Sequence, residues 1–281
     1  MKNKKVTIIG PRRGWLDLDL GQLWNYRDLL LIFALRDLKV RYTQTLLGPA
    51  WLIIQSLTLT AVFTTIISGV AGISTGNQPA PLFYLTALII WSYFSQIVSS
   101  TSQVFLANEY LFSKIYFPRI IVPLSALLSN AIGLVIQLLV LLMLLFAYEF
   151  LGKIGGLSWR VAVFPIVVIQ FAAFSLAIGL GLGASAAKYR DMAHATPFVI
   201  QVWMFITPII YPFSSIPETY RTLVCFINPL AVAVEASRWC FLGISSAGVD
   251  QIVASIVSTV LALAGSVIVY QRVERTVMDT I

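Results

Sequence analysis

Charge is what this chain has least of. Only 11% of its 281 residues are Asp, Glu, Lys or Arg, against about 25% in soluble domains, and none of them lies between Tyr42 and Asn108. Further charge-free runs cover residues 120–148, 161–187 and 251–271. Runs of this length in a chain that is 58% hydrophobic exclude a soluble globular protein, since a helix crosses a bilayer with about 20 apolar residues. The first run is long enough for two crossings.

Reactive side chains are almost as scarce. There is one histidine, His194, in a segment expected to be a solvated loop, and there are two cysteines, Cys225 and Cys240. The cysteines are either a disulfide pair or two small packing residues. Neither HExxH, CxxC nor a GxxxxGK[ST] phosphate loop occurs, so the chain has no such route to hydrolyse ATP. No catalytic residue and no metal site is expected. Nor does any expected span carry an acid or a base near its centre, which ion-coupled carriers use as relays. A transporter built this way must take its energy from a partner.

The charges that are present sit at the ends of spans. With the N-terminus inside, 15 of the 19 Lys and Arg residues fall on the inner side, and Lys153, Arg160, Arg221 and Arg238 fall outside. That bias places both termini in the cytoplasm. It also accounts for the net charge of +7 without nucleic acid. The basic N-terminus lacks a cleavable signal pattern, so the first span is expected to direct insertion.

Six spans are expected, at about 46–70, 82–106, 120–148, 161–187, 195–211 and 251–270. Ahead of them, residues 22–51 form a hinge between water and lipid. The apolar run 29–35 is too short to cross. At helical spacing Asn25, Asp28, Arg36 and Lys39 share one face, and Leu23, Tyr26, Leu30, Ala34 and Leu38 another, which predicts a helix in the headgroup layer. Arg36, Lys39 and Arg41 then stand at phosphate level, either as a flank that only orients the first span or also as anion ligands.

Span two carries Ser92, Ser95, Gln96, Ser99 and Gln103 as an uncharged polar stripe, which needs partners on a neighbouring helix or a hydrated path. A short helix is expected at 108–117. Gly179, Gly183 and Ala187 form a small-residue ridge for close helix approach. Between spans five and six the uncharged run is too short to cross, and two short helices dipping into the outer face are expected. Ser215 and Glu218 have capping-box spacing, and Asn228–Pro229 reads as a second helix start.

Four stretches, LWNYRDLLLIFALRDLKVRYTQTLLGPAW, NEYLFSKIYFPRIIVPL, KYRDM with TPFVIQVWMFITPIIYP, and INPLAVAVEASRWCFLG, together resemble the permease subunit of ABC transporters that export O-antigen, capsule or teichoic-acid polysaccharides. The resemblance implies an all-α integral membrane protein. It would have six transmembrane helices, an N-terminal amphipathic interface helix at 23–42, and two short re-entrant outer helices at 215–243. It divides the chain into a cytoplasmic N-terminus with the interface helix, 1–45, and a transmembrane domain, 46–281. The chain would not be an enzyme. It would form a homodimer in the bacterial inner membrane and work with two copies of a separate ATP-binding subunit that holds ATP and Mg.

The implied substrate is a glycan on a polyprenyl diphosphate, as in lipopolysaccharide biosynthesis. Arg36, Lys39 and Arg41 would meet the diphosphate. Asn108, Glu109, Tyr110, Leu111, Lys114 and Tyr116 would dock the ATPase. Trp51, Ser92, Phe94, Gln96, Ser99, Gln103, Trp203 and Phe205 are the glycan-path candidates, although packing or lipid contact explains the aromatic ones as well. Tyr211, Pro217, Asn228, Pro229, Glu235 and Arg238 would form an outer gate. Drug or small-lipid efflux, an ion-coupled carrier and a membrane glycosyltransferase are the alternatives.

Overall fold

The computed structural model describes residues 20–76, 78–114, 117–189, 191–244 and 246–278. The described residues are helical with no strand, as a chain of apolar runs must be when lipid offers its backbone no hydrogen bonds. Five segments are long and apolar enough to cross a membrane: Ala50–Val70, Ala80–Ser102, Ile121–Phe150, Trp159–Lys188 and Val249–Glu274. A bent pair, Glu218–Ile227 with Leu230–Leu242, would make a sixth if it counted as one span.

In chain order, α1 (Leu20–Asn25) and α2 (Arg27–Tyr42) precede α3 (Ala50–Val62), which continues as a π-helical stretch, Phe63–Val70. Next come α4 (Ala80–Ser102), α5 (Val104–Ala107) and α6 (Glu109–Lys114). The long α7 (Ile121–Phe150) is followed by a 3-10 turn, Trp159–Val163, and α8 (Phe164–Lys188). The chain ends with α9 (Asp191–Ile206), α10 (Glu218–Ile227), α11 (Leu230–Leu242) and α12 (Val249–Met278).

The segment expected as span five is only partly helical. Its helix α9 has 16 residues, about 24 Å at 1.5 Å per residue, against a hydrocarbon core of about 30 Å. The rest of that segment, to Pro212, is turns. His194 is exposed within the first turns of α9 rather than in a loop.

Helix α4 is the centre of the bundle. It is the least apolar of the five spans and the most buried, at 72%, because its side chains find partners on α3, α7, α8, α9 and α11. The glycine ridge of α8 lies against its last turn. A Cβ on Gly179 would stand 2.7 Å from the Thr101 Cβ, and one on Gly183 would stand 2.9 Å from the Thr101 carbonyl oxygen. Only glycine permits that approach.

At this end of the bundle, which we call the α2 end, Phe33, Phe105, Phe112, Phe117 and Tyr270 form a second apolar cluster. It joins α2, the α5–α6 segment and α12 into one unit. Arg119 strengthens it, 3.9 Å from Glu274 on α12. The opposite, α11 end is closed by the bent pair, whose axes meet at 107° at Asn228–Pro229. The expected capping box is absent there. Ser215 ends a 3-10 turn, and α10 starts after Pro217, which takes the N-cap position itself and has no side-chain acceptor to offer, so there is no side-chain cap bond. Cys225 and Cys240 are both free and buried in different apolar clusters, so the packing reading holds.

Candidate functional site

The α2 helix does not lie with one wet face and one dry face. Tyr26, Leu29, Leu30, Phe33, Ala34, Asp37, Leu38 and Arg41 turn toward the bundle, at spacings of three and four, while Leu31, Ile32, Leu35 and Val40 are exposed. The helix is apolar on both sides, and Asn25 belongs to a separate short helix. The side chain of Leu23 lies outside the described residues.

The three expected diphosphate ligands are therefore not brought together. Arg36 bonds its neighbour Asp37 at 2.8 Å and Asn108 at 3.4 Å, and its guanidinium sits 4.9 Å above the Phe33 ring. Lys39 is exposed. Arg41, five residues after Arg36, points to a different face because each residue turns the helix by about 100°. Its Nη1 donates to Asn130 Oδ1 at 2.7 Å and to Gln96 Oε1 at 3.3 Å.

Arg41 opens a polar seam that runs from the α2 end to the middle of the bundle. Gln96 Nε2 donates to Ser92 Oγ at 2.9 Å, and Gln137 Nε2 donates to both Ser92 Oγ and Ser56 Oγ at 2.9 Å. Asn130 Nδ2 reaches Ser100 Oγ at 3.2 Å. Four helices, α2, α3, α4 and α7, are thus joined by neutral amides and hydroxyls around one cation. Gln137 Oε1 is buried with no partner among the described residues. Asn130, Gln137, Ser56 and Ser100 were missed in the sequence. The signal for the first two was a pair of amides seven residues apart, two helical turns, in the uncharged run 120–148.

The glycan-path candidates are dispersed. Ser92 and Gln96 belong to the seam, while the Ser99 carbonyl accepts from Ser102 Oγ within α4. Gln103 is exposed where α4 breaks. Phe94 is fully buried among Trp91, Phe174 and Trp203, with ring centroids 5.4 to 6.3 Å apart. Trp51 and Phe205 are exposed on the surface of the chain. Within one chain these eight residues line no common path.

Of the docking candidates, Asn108, Tyr110, Leu111 and Lys114 can be described. The short α6 follows a break at Asn108, whose Nδ2 donates to the Val104 carbonyl at 3.1 Å. Tyr110 and Lys114 are exposed one turn apart and contact each other, and Leu111 is half-buried. Tyr116 and the side chain of Glu109 lie outside the described residues.

At the α11 end Asn228 is the fulcrum. Its Oδ1 accepts from Trp203 Nε1 at 3.0 Å and its Nδ2 donates to Thr207 Oγ1 at 2.9 Å, so the bend is fastened to α9. Pro217 and Pro229 start α10 and α11, and Tyr211 donates to the Ile206 carbonyl at 3.2 Å.

Arg238 is completely buried, 3.7 Å from Glu235 and 3.6 Å from the Phe83 ring centroid, and bonds the Ile209 carbonyl at 3.1 Å. Glu235 also accepts from the Ser246 backbone at 2.7 Å and its hydroxyl at 2.9 Å. It faces a cavity of about 330 Å³ bounded by Ser74, Phe83, Pro212 and Ser246. A buried ion pair therefore does exist in the α9–α11 region.

Beside that cavity, Gly-Ile-Ser-Thr-Gly at residues 72–76 has the letters of a nucleophile elbow. That motif needs a strand before it and a helix after it. Here it is a loop whose Ser74 Oγ accepts from the Gly76 N–H at 3.1 Å, and no cluster of metal-ligating side chains occurs among the described residues.

Helices of this length and composition, with polar groups turned inward and apolar ones outward, define a multi-pass membrane protein. The sequence profile of the ABC-2 type transporter family matches residues 28–242, most of the chain, and the chain belongs to that family. It is 29% identical over 255 residues to the O-antigen export system permease protein RfbA of Myxococcus xanthus, covering 90% of this chain and 95% of that one. It is 29% identical over 224 residues to the protein of that name from Klebsiella pneumoniae, covering 80% and 83%. The polysialic acid transport protein KpsM of Escherichia coli is 26% identical over 205 residues, covering 73% and 77%.

Proposed function

We propose that this chain is the permease subunit of an ATP-driven exporter that moves a polyprenyl-diphosphate-linked polysaccharide across the bacterial inner membrane. The observation that carries the reading is similarity to O-antigen export permeases along nine-tenths of the chain. Both termini are cytoplasmic in this reading, so the α2 end is the inner end. The chain pairs with a second copy and with two ATP-binding subunits, which hold ATP and Mg.

Residues 1–45 then form the cytoplasmic and interface portion, and 46–281 the transmembrane domain. The α2 helix is the interface helix, and α10–α11 is a re-entrant pair that closes the outer end. The exposed Tyr110 and Lys114 of α6 face the ATPase. The cluster that ties α6 to α2 and α12 carries its movement into the bundle. Arg36 and Lys39 remain the cations open to a diphosphate, and Arg41 serves the seam.

Reconstitution tests this directly. Vesicles holding the chain and its ATP-binding subunit should move lipid-linked glycan only with ATP. Transport by the chain alone on a proton or sodium gradient would sink the proposal. Leu111→Pro, which breaks α6, should leave ATP hydrolysis but abolish transport.

A further inference from the structure

Four Lys and Arg residues lie toward the α11 end, and the fold treats them in two ways. Arg221 reaches Glu218 at 3.4 Å and Arg238 reaches Glu235 at 3.7 Å, each three residues back on its own helix. Lys153 and Arg160, in the turn between α7 and α8, have neither an ion pair nor a hydrogen bond from their side chains among the described residues. Among the described residues their side-chain partners are rings. The Lys153 ammonium stands 5.7 Å from the Tyr148 centroid, and the Arg160 guanidinium 5.7 Å from that of Trp239.

Both cations line one open cleft of about 330 Å³ between this turn and the last residues of α11, with Gln78 and Ser158 as further polar walls and no carboxylate among its lining residues. Gly243 makes room for Arg160. Its φ of +76° ends α11, and a Cβ there would fall 2.5 Å from Arg160 Nη1. The carbonyl end of α11 contributes about half a negative charge, and the Glu149 carboxylate, which a Cβ on the lining residue Gly156 would meet at 2.5 Å, a further one. The two cations still outweigh them, and neither is ion-paired among the described residues.

The turn joins two spans, so its cations stand at headgroup level, and beside them Phe150, Leu151 and Trp159 are exposed. Cations with apolar side chains at the same depth suit a molecule with an anionic head and an apolar tail.

We propose that this cleft binds the phosphate group of a membrane lipid, Arg160 offering its planar fork to two oxygens and Lys153 acting as a point charge. The phosphate comes from a glycerophospholipid of that leaflet or from a polyprenyl phosphate head; only the second source rests on the export reading.

The purified full chain in detergent, examined by native mass spectrometry, tests this with three probes: phosphatidylglycerol, farnesyl diphosphate and neutral diacylglycerol. The wild type should retain at least one phosphate probe and release the neutral one. Lys153→Gln with Arg160→Gln should weaken retention at least tenfold, since each cation at a charged headgroup layer contributes about fivefold.

Retention of phosphatidylglycerol alone assigns the site to the leaflet lipid, and it stands whether or not the chain exports a glycan. Retention of farnesyl diphosphate alone assigns it to the carrier. Equal retention of both phosphate probes by wild type and variant overturns the proposal. Should the double variant not purify as a single species, Lys153→Gln alone alters only an exposed turn, and unchanged retention there overturns it equally.

Discussion

Two arginines, one toward each end of the bundle, are held differently. At the α11 end Arg238 is sealed from solvent with a carboxylate, a carbonyl and an aromatic face around it. At the α2 end Arg41 is half-buried and bonded only to two neutral amides, Asn130 and Gln96. A sealed charge with a charged partner cannot be released cheaply, because either group left alone is an uncompensated ion. A charge held by neutral amides can exchange them for water or for an anion. The contrast makes Arg238 an anchor and the Arg41 contact a place where rearrangement costs less, while Arg119, buried 3.9 Å from Glu274, pins α12 at the same end as Arg41.

The contrast breaks most severely at Arg238. Arg238→Leu strands Glu235 and should cost on the order of 3–5 kcal/mol, enough that little folded protein is recovered, as judged by monodispersity and thermal unfolding in detergent. Adding Glu235→Gln should restore much of the loss, since pair removal is often near neutral. If the single variant unfolds no more readily than wild type, the anchor reading is wrong.

The next largest effect belongs to Asn228, which bonds both Trp203 and Thr207. Asn228→Leu leaves a part-buried Trp203 N–H without its acceptor, at about 1–3 kcal/mol, while the Thr207 hydroxyl keeps its bond to the Trp203 carbonyl. It should also free the 107° bend, read as faster proteolysis between α10 and α11. Asn228→Asp keeps the Trp203 acceptor and should fall between the two.

In the seam the effects should be smaller. Gln137→Leu removes two donors to Ser56 and Ser92, yet it also removes an oxygen with no partner. Interhelical bonds in membranes average about 0.6 kcal/mol. The net loss should stay near ~1 kcal/mol in thermal unfolding, several times less than at Arg238. A loss as large as that of Arg238→Leu would erase the difference between the anchor and the seam.

How much of this the sequence disclosed follows from what each feature depends on. The long spans and the glycine ridge were legible because charge-free length and small-residue spacing are properties of one segment. The α10–α11 bend was legible because Asn228–Pro229 interrupts a run too short to cross. The partners of Ser92 and Gln96 were not, since the register between α4, α7 and α3 is a pairing of distant segments that no local pattern encodes. Arg41 was misplaced for a related reason. Periodicity predicted one polar and one apolar face for α2, whereas the folded helix is apolar on both sides, and an arginine beside a membrane reads as a headgroup ligand until Asn130 is found opposite it.

Arg41 is the finest test of the comparison. If it is a fastener between α2 and the seam, its hydrogen bonds matter more than its charge. Arg41→Lys keeps a donor of nearly the right reach and should shift thermal unfolding little, while Arg41→Leu should lose up to about 1 kcal/mol, with Arg41→Gln, whose amide ends two bonds short of the Nη1 position, between them. If it also meets the diphosphate, charge matters: Arg41→Lys should then export better than Arg41→Gln at equal amounts of folded protein. Arg36→Gln and Lys39→Gln supply the control, because neither side chain enters the seam and any export they lose is not loss of that fastening. A stable but export-dead Arg41→Gln, rescued by lysine, would restore Arg41 to the phosphate site. Equal export by glutamine and lysine variants would leave it as the clasp that holds α2 against α4 and α7.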